Sequence, residues 1–392
     1  MSLRRSLRAI PAPIWALGMV SLLMDASSEM IHGLLPVFMT TVLGASGFVV
    51  GMIEGIAEAT TSITKVFSGF LSDRIQKRKS LVILGYGLSA LTKPLFALAP
   101  TLGWVLSARF ADRFGKGIRG SPRDALIADI APENIRGACY GLRQSLDTVG
   151  AIIGPLLAIA LMAVSQNDFR LVFWLAIIPA LLCVAVLAKG VKEPERHHPA
   201  NGSLIPKWSE FRSLGRGYWR VMGLGALINL ARFSEAFLIL RLQELGLALS
   251  LAPFVLIVMN IVFALAAFPA GRYSDRLGSR GLLTASLGVL VLSDLVMTLN
   301  LGPAFALLGV ACWGLHMALS QGILARLIAD TAPMDLRGTA FGLYHLAAGI
   351  CLLTASTLAG LLWDSAGSSV TFLAGGGFAL AGLLAVTGLR LK

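Results

Sequence analysis

Charge is scarce in this chain: Asp, Glu, Lys and Arg make up 14% of its residues, against roughly 25% in a soluble globular domain. With hydrophobic residues at 56% and a mean hydropathy of +0.77, a water-soluble globule is excluded. Acidic residues are the scarcer sign, 21 against 33 Lys and Arg. The surplus of base falls at the ends of apolar runs and in short loops, so it is read as membrane topology and not as a nucleic-acid surface. Cysteine is rare as well. Cys139, Cys183, Cys312 and Cys351 are scattered through apolar stretches without paired or metal-type spacing, which leaves them as small core residues with no redox role. No stretch alternates with period two, as a β-barrel requires. Hydrolase, kinase and Rossmann signatures are also missing. Gly375, Gly376 and Gly377 sit in an apolar run with no Lys-Ser/Thr after them, so they read as helix packing, not a phosphate cradle. No enzyme and no cofactor follow.

What the chain does have is apolar runs of about 20 residues from end to end, each long enough to cross a bilayer as a helix. Twelve spans are expected, at 12–39, 47–71, 80–99, 103–125, 138–163, 169–190, 218–243, 250–271, 281–300, 304–328, 339–363 and 369–390. The basic N-terminus before the first run resembles a signal peptide. The run soon meets Asp25 and Glu29 and lacks a small-residue cleavage site, so it is expected to stay as the first span. A polar stretch at 192–216 divides a bundle at 1–191 from one at 217–392. The basic residues of both termini, of this linker and of the turns at 73–79, 123–136, 272–280 and 326–337 all fall on one side, which places the termini in the cytoplasm.

The halves repeat. Gly69 to Lys79 (GFLSDRIQKRK) returns about 200 residues later at Gly271 to Arg280 (GRYSDRLGSR), and Ile127 to Leu142 returns at Ile328 to Leu343. Gly69, Leu71, Asp73, Arg74, Lys77, Arg78 and Lys79 resemble the G-x-L-x-D-R-x-G-R-K loop of the major facilitator superfamily, with Gln76 at the usual second glycine. Gly271, Asp275, Arg276, Gly278 and Arg280 keep the pattern in the second copy. The resemblance covers the whole chain. It implies an all-α integral membrane protein of two parallel six-helix bundles, and a secondary transporter of the drug or metabolite:proton antiporter kind, multi-pass in the inner (plasma) membrane. Its partners would be the lipid bilayer, a small-molecule solute and protons, with no nucleic acid, and the protein would be a monomer. It also implies that Gly69, Asp73, Arg74, Gly150, Gly154, Pro155, Asp275 and Arg276 act as a conformational gate.

Ionisable residues inside spans are functional candidates because they are costly unless they meet partners or a wet cavity. Asp25, Ser28, Glu29 and His32 recur at i, i+3, i+4 and i+7 and so share one helix face. Glu54 and Glu58 form a second acidic pair. Arg109, Asp112, Arg113, Lys116 and Arg119 make a basic stripe on the fourth span, and Arg143, Gln144 and Asp147 lie on the fifth. Proton coupling is assigned to Asp25, Glu29, His32, Glu54, Glu58, Asp112, Arg113 and Asp147, the alternative being fixed structural pairs. Arg113 with Gly117 resembles the R-x-x-q-G pattern of the superfamily's fourth helix, with Lys116 at the glutamine. Lys93 and its repeat counterpart Asp294 are read either as a pair or, for Lys93, as a snorkelling side chain.

Gly150, Gly154 and Pro155 resemble the G-x-x-x-G-P core of the drug/proton antiporter motif, and equally fit plain helix packing. Solute contacts are assigned to Ser28, Arg109, Lys116, Arg143, Gln144, Asn229, Arg232, Glu235, Asn260, Trp313, His316, Gln321, Tyr344 and His345. Export by antiport is the leading functional reading. The basic stripe, with Arg143 and Arg232, supports uptake of an organic anion or siderophore as the alternative. Divalent metal transport through Asp25, Glu29 and His32 has ligands of the right type but no diagnostic spacing, and no metal site is assigned.

Overall fold

The structure is a computed structural model and describes residues 10–75, 77–132, 135–192, 214–333 and 336–388. All regular structure among these is helical. In chain order the helices are α1 (Ala12–His32), α2 (Leu35–Thr41), α3 (Gly47–Ile75), α4 (Arg78–Leu98), α5 (Leu102–Ile130), α6 (Arg136–Val164), α7 (Phe169–Leu175) and α8 (Ile177–Gly190). They are followed by α9 (Arg216–Ala231), α10 (Ala236–Glu244), α11 (Phe254–Thr298), α12 (Pro303–Thr331), α13 (Arg337–Ala366) and α14 (Ser368–Gly388). Most of the linker, at 193–213, lies outside the described residues, as do the side chains of Asp73, Arg74, Asp275 and Arg276.

The helices start where the sequence provides for their free N–H groups. Thr101 caps α5 by accepting from the Trp104 N–H at 3.4 Å, and Asp168 caps α7 by accepting from Arg170 and Leu171 at 3.0 and 3.1 Å. Pro303 opens α12, where its missing N–H is not needed.

Ten described segments are long and apolar enough to cross a membrane. α3 and α5 have the length, 29 residues each. They carry Glu54, Glu58 and Lys65, and the Arg109 to Arg119 stripe, which keep them out of that apolar set. Three expected spans are interrupted: the first at Gly33–Leu34, the sixth at Ala176 and the seventh at 232–235. The eighth and ninth spans share one run of helical backbone, α11. Gly314 of α12 meets Met259 of α11, while His316 bonds Ser286 of the same run. Met259 and Ser286 would stand about 40 Å apart on a straight helix at 1.5 Å per residue, so the backbone folds back between them.

The chain forms two compact units, Met1–Leu35 with Thr60–Leu204, and Pro36–Ala59 with Ile205–Lys392. In the first, α1 packs on α6 and α8 and α4 packs on α5, around Ile14, Leu17, Val20, Met24, Val82, Tyr86, Leu126 and Ile127. In the second, α11 packs on α12 and α14, and α9 on α13 and α14. Its centre is aromatic, with the Phe233 ring against Phe237, Trp313 and Phe372 at 5.3 to 5.7 Å between centroids. The first half of α3 belongs to the second unit. The Asp364 carboxylate accepts from the Gly47 and Phe48 N–H groups at 2.7 and 2.8 Å, and a side chain at Gly51 would run into the Ser356 carbonyl. The compact units and the sequence halves therefore differ over this segment.

Each half also carries a basic residue that closes its last helix. Lys79, at the start of α4, donates to the Ala188 carbonyl near the end of α8 at 2.9 Å. Arg280, its counterpart in the repeat, donates to the Thr387 carbonyl of α14. Cations at a helix C-terminus meet carbonyls that the helix itself leaves free.

Candidate functional site

The densest polar cluster lies in the first unit, where α1, α4, α5 and α6 meet. Two close approaches set it up. Gly85 and Gly115 let α4 and α5 cross with their backbones in contact, a Cβ on either glycine standing 2.7 Å from the other's carbonyl oxygen. Gly150 and Gly154 do the same for α6 on α1. A Cβ on Gly150 would run into the Leu22 carbonyl, and one on Gly154 would stand 2.5 Å from the Ala26 carbonyl and 2.9 Å from the Glu29 Cβ. The G-x-x-x-G-P stretch thus acts in this structure as a packing seam beneath the acidic face of α1.

Lys93 is fully buried. Its ammonium donates to Asp112 Oδ1 at 3.1 Å and to Ser28 Oγ at 3.0 Å. It does not snorkel, and its charge is answered by Asp112. Thr92 Oγ1 donates to the Ser89 carbonyl at 2.7 Å and stands 3.4 Å from Asp112 Oδ1. On the other side of Asp112, His32 Nε2 lies 3.6 Å from Oδ2, while His32 Nδ1 lies 3.6 Å from Glu29 Oε1. Both contacts are longer than a hydrogen bond and within ion-pair range. Glu29, His32, Asp112 and Lys93 therefore form a continuous row of alternating acids and bases. Only Glu29, with 22% of its side chain accessible, has a substantial open edge.

A second row lies one turn and more towards the N-terminus of α1. The side chains of Asp25 on α1 and Asp147 on α6 are neighbours. Asp147 Oδ2 also accepts from Arg143 Nη2 at 3.2 Å, with Gln144 Nε2 at 3.4 Å, and Arg143 Nη1 reaches Asp124 Oδ1 at 3.5 Å. Arg123 Nε donates to Asp124 at 3.1 Å. Arg119 donates to Ser89 Oγ at 2.5 Å and lies over the Tyr86 ring, 4.5 Å from its centroid. Taken with Arg109, Arg113 and Lys116 on the same stripe, the cations outnumber the carboxylates. Lys93 and His32 stand against Asp112, and Arg143 against Asp147.

The other candidate residues divide between the two units. Glu54 and Glu58 fall in the segment that belongs to the second unit, whereas Glu29 and His32 belong to the first. In the second unit Asn229 Nδ2 donates to the Gly225 carbonyl at 2.7 Å and approaches Tyr344 Oη at 3.4 Å, and the His345 ring tilts against Tyr344. Trp313 and His316 are enclosed in the core of that unit, the latter with Nδ1 2.8 Å from Ser286 Oγ. Arg232, Glu235 and Asn260 are half-buried and Gln321 is exposed. Gly69 faces Ser121. Of the gate residues, Asp73, Arg74, Asp275 and Arg276 lie outside the side chains described. Sequence reading missed Ser89, Thr92 and Tyr86, whose only signal was their helical spacing before Lys93. Among the described residues no group of three or more His, Cys, Asp or Glu is gathered to hold a metal ion.

The family model of the Major Facilitator Superfamily matches residues 17–352 and 222–392. An uncharacterised MFS-type transporter of Methanocaldococcus jannaschii is 32% identical over 385 residues, 96% of this chain and 95% of that one. A gentisate transporter of Corynebacterium glutamicum is 25% identical over 95% of this chain and 86% of its own. Among solved structures, the nucleoside transporter NupG superposes with a TM-score of 0.82 at 13% identity, covering 97% of this chain and all of that one. The family match over most of the chain and the MFS-type transporter relative make this a multi-pass membrane transporter of small solutes. The chain belongs to the major facilitator superfamily.

Proposed function

We propose that this protein is a secondary transporter of a small organic acid, driven by protons through the Glu29–His32–Asp112–Lys93 row. All twelve apolar or charged spans cross the plasma membrane, and the two six-helix repeats work by alternating access. The observation that carries the reading is the row itself. Four ionisable groups of alternating sign are held inside a membrane bundle, with one carboxylate left accessible, so a proton arriving at Glu29 has His32 and then Asp112 within reach. Each transfer weakens the pairing that holds α1 to α5 and α4, which is how a proton biases one arrangement of the helices over another.

The surplus of cations on α5 and α6 supports an anionic solute. Carboxylates are recognised by arginine forks of the kind that Arg109, Arg113 and Arg143 offer. The carboxylic-acid cargo named for the Corynebacterium glutamicum relative agrees with that charge. Export by antiport is a second reading, supported by the resemblance of Gly150, Gly154 and Pro155 to the drug/proton antiporter core.

Uptake of radiolabelled aromatic and aliphatic carboxylates into proteoliposomes, competed against neutral and cationic analogues of the same size, tests the class. Saturable flux of one or more carboxylates, reduced by Arg113→Gln, is the expected result. Flux of only neutral or cationic solutes would refute the organic-acid reading. Flux opposite to the proton gradient marks export, and flux along it marks uptake.

A further inference from the structure

The second unit holds a buried acid, Asp294, at the repeat position that Lys93 occupies in the row described above. α9 ends at Ala231 and the helix resumes at Ala236, leaving Arg232, Phe233, Ser234 and Glu235 unwound. The break is a built feature. The Ser234 N–H donates to Ser356 Oγ at 3.1 Å, and Ser234 Oγ accepts from the Ala236 N–H at 3.2 Å. At the end of α9 the last carbonyls have lost their helical donors, and the negative pole of the helix dipole collects there.

Asp294, from the second span of α11, stands beside this helix end. It is 1% exposed, and neither carboxyl oxygen has a hydrogen-bond partner among the described residues. Gly375 of α14 brings the two together. From the point that a Cβ on Gly375 would occupy, Asp294 Oδ2 is 3.1 Å away, the Ala231 carbonyl oxygen 3.6 Å and the Phe233 ring 2.8 Å. Gly376 packs on the Asp294 Cβ at the corresponding distance of 3.4 Å. The wall around them is apolar, since Phe233 lies against Trp313 and Phe372. The charged and titratable side chains nearest in sequence to the groups named here are Arg232 and Glu235 on the unwound segment; His316 lies on α12, with Cys312, one residue before Trp313, on the same helix.

The polar atoms grouped here, carboxyl oxygens and a helix-end carbonyl, are all acceptors. Burying acceptors with no donor is unfavourable, and a lone buried carboxylate is more unfavourable still. A small cation resolves both, and carbonyls at the ends of broken helices are a recurrent way for transporters to hold one. We infer that Asp294 and the Ala231 carbonyl form a monovalent-cation site within the second unit, occupied by a proton or by Na⁺. The inference rests on the transporter reading only for its purpose, as a second coupling ion. Binding itself is read in solute-free protein, so its failure is distinct from failure of the transport reading.

The test follows thermal unfolding of the full chain in detergent micelles in two arms. In one, NaCl replaces choline chloride at constant ionic strength. In the other, pH is lowered in sodium-free buffer. Wild type is expected to gain about 2–4 °C in one arm, because a ligand bound only by the folded state raises Tm. The sodium arm identifies Na⁺ and the acid arm a proton. Asp294→Asn keeps the shape and removes the charge, so it loses the sodium-dependent gain or shows a smaller acid-dependent one. An Asp294→Asn protein that responds like wild type, or a wild type flat in both arms, overturns the proposal. Should Asp294→Asn fail to fold, Gly375→Ala replaces it, since its methyl lies on the carboxyl oxygen. A several-fold shift in the midpoint of the responsive arm is then expected, and an unchanged midpoint overturns the site.

Discussion

Lys93 and Asp112 show how much a single pair decides in this bundle. Both are enclosed, and each supplies most of what the other has in place of water. Lys93→Met should destabilise the protein by about 3–5 kcal/mol, because it removes the hydrogen-bonded cation of a buried carboxylate. The double variant Lys93→Met/Asp112→Leu should recover most of that loss. Thermal unfolding of the single and double variants completes the cycle; equal stability of wild type and Lys93→Met would show that the pair is not buried as described. At this scale the sequence was partly legible. The i, i+3, i+4, i+7 spacing put Asp25, Ser28, Glu29 and His32 on one face, and the structure keeps them there. The partner of Lys93 was not legible, because Asp112 and Asp294 are both charge-complementary to it in sequence. Only the crossing of α4 and α5 selects Asp112.

The helices are held at their working distance by glycine. Gly150→Leu should push α6 off the Leu22 carbonyl of α1 and cost about 1–3 kcal/mol by overpacking. Gly87→Ala, which meets nothing within 4 Å, should be within about 1 kcal/mol of wild type and on the stabilising side, since alanine is the better helix former. If both variants unfold alike in a temperature scan, the close approach of α6 to α1 is wrong. A cap is a second element-scale test. Asp364→Ala removes the acceptor for two N–H groups at the start of α3 and should cost about 0.5–2 kcal/mol, read from the same scans. Helix existence was legible from apolar runs, and helix continuity was not. The break at Arg232 to Glu235 contains neither proline nor glycine. It is held by Ser356, far away in sequence.

Over the whole molecule, the repeat of about 200 residues and the Asp-Arg turns identified the superfamily before any coordinates. They also explain why Lys79 and Arg280 close the last helix of each half in the same way. The grouping of Pro36–Ala59 with the second unit was invisible in the sequence. It depends on Gly51 meeting Ser356 and on Asp364 reaching Gly47, contacts between residues some 300 positions apart.

The central claim is that protons drive solute movement through the row beginning at Glu29. It is tested most directly by recording internal pH in proteoliposomes while a transported carboxylate is added, for wild type and Glu29→Gln. The account predicts solute-dependent proton flux in wild type and its loss in Glu29→Gln, with solute binding retained. Solute movement without proton flux in wild type, or undiminished proton flux in Glu29→Gln, would contradict it.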